Sequence, residues 1–296
     1  MLTVPKGHSD SVFVASVSGG KDSAALACEM KRLADATGIA VRYVFADTGW
    51  EAAETYEYLA TIERVLGITI DRVRSEHGGM LEIATRKAGF PTRQGRWCTT
   101  ELKVKPLRAY HDRIAAELDC DTVSVVGIRA EESSARAELA EFEHDDRWGG
   151  YVWRPLIEWT VADVLAAHHR AGLPVNPLYR LGAARVGCWP CINESKGGVR
   201  LIAEHDPARI DLIDEKEHEF TAERARRNAS GEGEFAHPRA TFFMPKEQGV
   251  PATIRDVVAW SRTSRGGVQL RLIQESPDSG CFRWGMCEPP TRESDE

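Results

Sequence analysis

Ser16-Val17-Ser18-Gly19-Gly20-Lys21-Asp22-Ser23 packs two glycines, a lysine, a carboxylate and three hydroxyls between the apolar run Ser11–Ala15 and the segment Ala24–Met30. A glycine-rich turn from a buried strand into a helix is a phosphate cradle. Glycine takes positive φ without strain and lets backbone N–H groups turn toward an anion, while the helix start adds its positive dipole end. Lys21 supplies a mobile cation, and Ser16, Ser18 and Ser23 supply hydroxyl donors. An ordinary strand-to-helix turn needs one glycine and none of the rest. The spacing G-x-x-x-x-G-K-[ST] is absent, which excludes a Walker A loop.

Sulfur forms a second constellation. Cys188-Trp189-Pro190-Cys191 is a CxxC beside Gly187, with Cys98 far upstream and Cys281 and Cys287 near the C-terminus. By itself a CxxC serves as a redox pair, a zinc half-site or part of an iron–sulfur site. Cys28, mid-helix, and Cys120, ahead of a strand, read as small packing residues. His168, His169, His205, His218 and His237 share no ligand spacing and read as structural or surface residues.

The elements that must position these groups alternate. Asp22–Ala36 reads as a helix stopping near Gly38, Ile39–Ala46 as a strand closed by Asp47-Thr48-Gly49, Glu51–Leu66 as a helix and Ile68–Val73 as a short strand. Met80–Ala88 and Thr99–Leu118 read as helices, with Pro106 forcing a break or late start near Val104. Thr122–Gly127 reads as a buried strand. This alternation predicts an α/β fold: a parallel sheet with helices on both faces, and ligands at the carboxyl ends of the strands. Acidic residues from Glu131 to Asp146, ending at Trp148-Gly149-Gly150, predict a flexible loop over the site. Further helices are expected at Thr160–Arg170, Pro207–Asn228 and Thr253–Trp260, an alternating segment at Val268–Leu272 and a disordered tail from Glu288. Two regions are expected: 1–180 is the α/β domain that carries the phosphate cradle, and 181–296 is mainly helical and holds the CxxC and the tail cysteines.

With 296 residues, 42% of them hydrophobic and 28% charged, the chain can bury one substantial core and a smaller appended region. No apolar run approaches a membrane span and no secretory pattern opens the sequence, so no membrane association and a cytoplasmic address are expected. There, seven cysteines mean thiols or metal ligands rather than disulfides. A net charge of −7 argues against bulk nucleic-acid binding. Arg86, Lys87, Arg93, Arg96, Lys103, Lys105 and Arg108 nevertheless face only Glu101 as counter-charge, which suits a polyanionic acceptor or a solvated helix face.

Five segments in order resemble the phosphoadenylyl-sulfate (PAPS) reductase family of the PP-loop, N-type ATP pyrophosphatase superfamily, over about two-thirds of the chain. They are the SxGGKDS loop; Asp47-Thr48-Gly49-Trp50-Glu51; Arg96-Trp97-Cys98-Thr99 with Leu102-Lys103 and Pro106; Gly127-Ile128-Arg129-Ala130-Glu131-Glu132-Ser133 with Arg136; and Pro155-Leu156-Ile157-Glu158-Trp159. The resemblance implies a Rossmann-like, adenine nucleotide alpha hydrolase-like sheet. On this reading Ser16, Ser18, Gly19, Gly20, Lys21, Asp22, Ser23, Asp47, Gly127, Arg129 and Arg136 hold ATP or a PAPS-like nucleotide. Lys21, Asp22, Asp47 and Arg129 do the chemistry, and Asp22 and Asp47 are the carboxylates placed for Mg²⁺. It further implies a [4Fe-4S] cluster on Cys98, Cys188 and Cys191, with Cys287 or Cys281 as fourth ligand; zinc is the alternative metal.

One departure bears on activity. Sulfite-forming members of the family carry a C-terminal E-C-G-L-H motif, whereas this chain ends Ser279-Gly280-Cys281-Phe282-Arg283-Trp284-Gly285-Met286-Cys287-Glu288. It is similar instead to the family members of phages, DNA phosphorothioation systems and CRISPR-linked mobile elements. The leading expectation is an ATP pyrophosphatase that adenylates an acceptor, a nucleic acid or a small molecule, for sulfur transfer. A sulfonucleotide reductase using Cys281 or Cys287 is the first alternative. The second is a nucleotide-binding accessory subunit of a defence or modification system, with a protein partner on the charged helix from Pro207.

Overall fold

The computed structural model describes residues 2–146, 148–233, 235, 237–243 and 252–264. Cys281, Cys287, Val268–Leu272 and the tail lie outside the described residues. A six-stranded sheet in the order β3-β2-β1-β4-β6-β5 forms the centre, from β1 (Val12–Ser16), β2 (Val41–Ala46), β3 (Ile70–Val73), β4 (Thr122–Val125), β5 (Phe142–Asp145) and β6 (Gly150–Trp153). All neighbours run parallel except β5 against β6. Successive residues of β1 point to opposite faces, as a strand buried on both sides requires. Phe13 and Ala15 enter the core under α1 (Lys21–Thr37), α2 (Ala53–Leu66) and α7 (Val161–Arg170), whereas Val12 and Val14 meet Tyr110 and Ile114 of α5 (Lys105–Leu118).

Several expected boundaries hold to within about two residues. α1 ends where Gly38 takes φ +78°, and its N–H caps the Ala34 carbonyl, the left-handed stop that glycine permits. The break near Val104 is a π turn, Thr100–Val104, between α4 (Trp97–Thr99) and α5, with Pro106 in the first turn of α5. One extra residue in the helical turn widens it at Lys103, just after Cys98.

The acidic stretch after Arg129 departs from its expectation of a flexible loop. It folds as a 3₁₀ turn at Ala130–Glu132, α6 (Ser134–Ala137) and the edge hairpin of β5 with β6. Backbone pairing and the stacked rings of Phe142 and Tyr151, 5.4 Å apart, outweigh the local charge.

A further core lies beside the sheet. Trp50, residues of α3 (Met80–Lys87), Phe90 and Leu102 pack with Val199 and Ile202 of α8 (Lys196–His205), Ile210, Ile213 and Phe220 of α9 (Pro207–Ser230), and Ile254 of α10 (Ile254–Ser261). This core draws on residues from both sides of position 180. α8 carried no expectation; its first turn holds Gly197-Gly198, poor helix formers that the Ser195 cap and the burial of Val199 and Ile202 override.

Candidate nucleotide site

The turn after β1, Asp47 after β2 and Gly127–Arg129 after β4 all stand at the carboxyl edge of the sheet. Chain order reverses there, between β1 and β4, and open α/β sheets bind ligands in that crevice. Gly19 has φ +77°, and a Cβ on it would come 2.7 Å from Thr55 Cγ2, so both conformation and space demand glycine. The Ser18 N–H donates to Ser23 Oγ at 3.0 Å, and the Ser23 hydroxyl donates to the Gly20 carbonyl at 3.0 Å, closing the turn on itself. The first i→i−4 bond of α1 runs from Ala24 N–H to the Gly20 carbonyl, so the amides of Asp22 and Ser23 precede the helix ladder and face outward.

Charge is concentrated beside this turn. Asp22 receives Lys21 Nζ on one oxygen at 2.9 Å and Arg129 Nε on the other at 2.5 Å. Lys21 is 5% exposed and Arg129 2%. Burial pushes the Asp22 carboxyl up, but the Lys21 and Arg129 cations more than offset that and leave it below its ordinary range. Arg129 also donates to Glu131 at 2.6 Å and to the Trp159 carbonyl at 3.4 Å. Gly127 lets β4 approach: a Cβ there would sit 2.9 Å from the Asp22 carbonyl oxygen. Arg136 pairs with Glu132, away from Asp22.

Asp47, 4% exposed, is equally engaged. One oxygen accepts the Gly49 N–H at 3.0 Å and the Tyr56 hydroxyl at 2.8 Å; the other accepts Arg74 Nε at 2.7 Å. Burial first, and the bond to Asp47 next, raise the Tyr56 phenol, so it stays a donor. The turn continues through Thr48, whose hydroxyl donates to Glu51 at 2.6 Å.

That same turn meets the cysteines. Glu51 forms a β-bridge with Cys188, the Trp189 N–H donates to the Trp50 carbonyl at 2.8 Å, and Trp50 Nε1–H donates to the Pro190 carbonyl at 3.0 Å. Cys98, Cys188 and Cys191 lie near enough to perturb one another. Burial raises the Cys188 and Cys98 thiols, and Lys103 partly counters it. The Lys103 ammonium is held above its usual value first by Cys188, and Arg185 bonds Cys191. Yet among the described residues no three His, Cys, Asp or Glu side chains are disposed to hold a metal ion. The thiols converge without forming a ligand set, and Asp22 and Asp47 each spend both oxygens on protein donors.

The basic block from Arg86 to Arg108 does not form one face. Lys105 pairs with Glu101 at 2.8 Å, Lys103 turns to the thiols, Arg86 bonds the His77 carbonyl and Arg108 donates to the Trp148 carbonyl at 2.6 Å.

Sequence reasoning missed five residues around the turn. Tyr56 and Arg74 fix Asp47. Asn176, Tyr179 and His168 reach the loop from about 150 residues downstream: Asn176 Nδ2–H donates to the Gly19 carbonyl at 3.1 Å, the Lys21 N–H donates to Tyr179 Oη at 3.1 Å, and His168 Nε2 lies 2.8 Å from the Lys21 carbonyl. Asn176-Pro177 signals a turn in the sequence, but nothing there announces its partner.

Residues 12–194 match the phosphoadenosine phosphosulfate reductase domain, and the chain belongs to that family. It is 32% identical to an uncharacterised protein of Escherichia phage 186, over 94% of this chain and 97% of the phage protein. It is 33% identical to an adenosine 5'-phosphosulfate reductase of Allochromatium vinosum, over 51% of this chain and 58% of that enzyme. A solved phosphoadenylyl-sulfate reductase of Candida auris is 20% identical, at a TM-score of 0.44, over 63% of this chain and 83% of that one. Family members are enzymes acting on nucleotides. Among the described residues no helix is long and apolar enough to cross a membrane.

Proposed function

We propose that the protein is an ATP pyrophosphatase that binds Mg²⁺·ATP at the turn after β1, joins AMP to an oxygen of an acceptor and releases pyrophosphate. The observation that carries this reading is the buried Lys21–Asp22–Arg129 arrangement at the N-terminus of α1, where outward amides and a helix dipole favour an anion. Mg²⁺ enters as part of the substrate. As the acceptor oxygen attacks the α-phosphorus, the bond to the β-phosphate breaks and charge gathers on departing pyrophosphate. Lys21 swings from Asp22 to a phosphate oxygen and stabilises that charge, which a cation does strongly in a water-poor site. Arg129 keeps Asp22 ionised and in place. Asp47 is held by Arg74 and Tyr56 at the same edge of the sheet.

The acceptor belongs with the thiols, where Arg96, Lys103 and Arg185 supply positive charge; an anionic acceptor, nucleic acid included, fits it. A [4Fe-4S] cluster or zinc is supported by the convergence of Cys98, Cys188 and Cys191 alone. As disposed they make no ligand set, and no step is derived through a metal.

Sulfonucleotide reduction is the second reading, favoured by the adenosine 5'-phosphosulfate reductases matched over about half of the chain. There a thiolate attacks the sulfate sulfur, AMP leaves, and a second thiol releases sulfite with formation of a disulfide. The test runs ATP with Mg²⁺, and PAPS or adenylyl sulfate with a thiol donor, in parallel. Pyrophosphate without sulfite, lost in Lys21→Ala, is the expected result; sulfite without pyrophosphate establishes the reductase and overturns the first reading.

A further inference from the structure

We propose that Tyr179, Asn176 and His168 are positioning residues that hold the anion-binding turn open, a role that rests on the nucleotide reading of that turn. All three are almost wholly buried, at 1%, 0% and 3% exposure, and their polar atoms meet the Gly19 carbonyl and both backbone groups of Lys21. Asn176 uses both ends of its amide: Nδ2–H holds the Gly19 carbonyl, and Oδ1 accepts the Leu178 N–H at 3.0 Å, which fixes the side chain's orientation. With its carbonyl so held, Gly19 keeps the positive φ that turns the chain into α1.

Tyr179 takes the Lys21 N–H, the first amide of α1, and so fixes the direction of the peptide that leads into the amides behind it. Burial raises the Tyr179 phenol, so the oxygen stays neutral and adds no negative charge to the cradle. His168 closes the other side of Lys21. Its Nδ1 lies 3.2 Å from the Leu173 carbonyl and its Nε2 2.8 Å from the Lys21 carbonyl, and a ring proton on Nε2 would donate to the Lys21 carbonyl. Burial lowers its pKa and keeps the ring neutral. Lys21 is thus gripped at its N–H and at its C=O by groups outside the turn, which leaves the side chain as its moving part.

These contacts are made by backbone, not by ligand, so the three residues act through the shape of the turn. Loss of a clamp must therefore weaken the binding of phosphate more than of the nucleoside. Nothing in a merely stabilising role makes that distinction.

Calorimetric titration of the full chain with ATP, pyrophosphate and adenosine tests this in wild type, Tyr179→Phe, Asn176→Asp and His168→Gln, with Tm recorded for each. Tyr179→Phe removes one oxygen; Asn176→Asp keeps the acceptor for Leu178 but sets a carboxylate against the Gly19 carbonyl; His168→Gln retains an N–H donor and serves as the rescue. The expected result is about a tenfold rise in Kd for ATP and pyrophosphate in the first two, adenosine within about twofold, and His168→Gln near wild type. Equal weakening for all three ligands, or none, overturns the clamp while leaving the nucleotide site standing. A wild type that binds neither ATP nor pyrophosphate removes the nucleotide reading and the clamp with it.

Discussion

The turn after β1 and the neighbourhood of the cysteines adjoin, joined by the segment from Asn176 to Cys191, yet they are built differently. At the turn nearly every polar group has a short partner: Ser18 with Ser23, Lys21 and Arg129 with Asp22, Gly19 with Asn176. At the cysteines, cations and thiols converge, burial raises two of the thiols, and no ligand set forms among the described residues. Preorganisation marks the turn as a site whose geometry the fold supplies; the thiol region supplies proximity and charge. A preorganised site depends on single atoms, and a loosely assembled one tolerates their loss.

Asp22→Ala should show the sharpest contrast. It removes the carboxylate shared by Lys21 and Arg129, both nearly inaccessible, and leaves Arg129 with Glu131 at 2.6 Å; breaking a buried ion pair costs up to about 3–5 kcal/mol. Chemical denaturation should register that loss together with loss of nucleotide binding. A change below about 1 kcal/mol would mean that the pair is solvated and the turn is not preorganised.

Gly127→Ala comes next. Its Cβ would press within 2.9 Å of the Asp22 carbonyl oxygen and 3.2 Å of Ser23 Cα, which are backbone or backbone-bound and cannot swing aside. Separation of β4 from α1 should cost about 1–3 kcal/mol and weaken nucleotide binding in the same titration. Alanine at Gly187, beside the cysteines, meets nothing within 4 Å and should be silent there.

On the thiol side, Glu217 of α9 accepts the Phe242 N–H at 2.7 Å and the Ile254 N–H at 2.9 Å, and Phe242 stacks on Trp50 at 6.1 Å. Burial pushes the Glu217 carboxyl up to about 7 from 4.5. The folded chain therefore holds a proton that the unfolded chain has lost between those values. Its contribution is full below about pH 4.5 and disappears as pH rises through about 7. Tm of the wild type should fall across that window by an amount worth about 1–3 kcal/mol, and Glu217→Gln should flatten this part of the profile. An unchanged slope in the variant would assign the titration elsewhere.

The smallest effect is expected from serine at Cys98, Cys188 and Cys191, singly or together: ATP affinity within about twofold of wild type, since no thiol touches the turn. Elemental analysis of anaerobically purified wild type and the triple variant separately decides whether the converged thiols hold iron or zinc.

The turn after β1 was legible because its information is local: glycines, hydroxyls and a lysine between strand and helix periods fix both conformation and charge. Strand alternation likewise gave the sheet and the placement of Asp47 and Arg129 at its carboxyl edge. The clamp was not legible. Asn176, Tyr179 and His168 look like any turn asparagine and core aromatic residues, and only tertiary packing, of α7 on α1 for His168 and of the turn at Pro177–Tyr179 on α2 for the other two, brings them to Gly19 and Lys21. The edge hairpin was hidden for the opposite reason, since its acidic residues signal solvent while the pairing of Phe142 with Trp153 and of Asp145 with Gly150 fixes a strand.

Equilibrium titration of ATP with Mg²⁺ into wild type, Lys21→Ala and the Cys98/Cys188/Cys191→Ser triple variant tests most directly whether the preorganised turn alone is the nucleotide site. A Kd raised about thirtyfold or more by Lys21→Ala, and moved no more than about twofold by the triple variant, is the predicted result. Affinity indifferent to Lys21 but lost with the thiols would place the nucleotide at the cysteines and contradict the account.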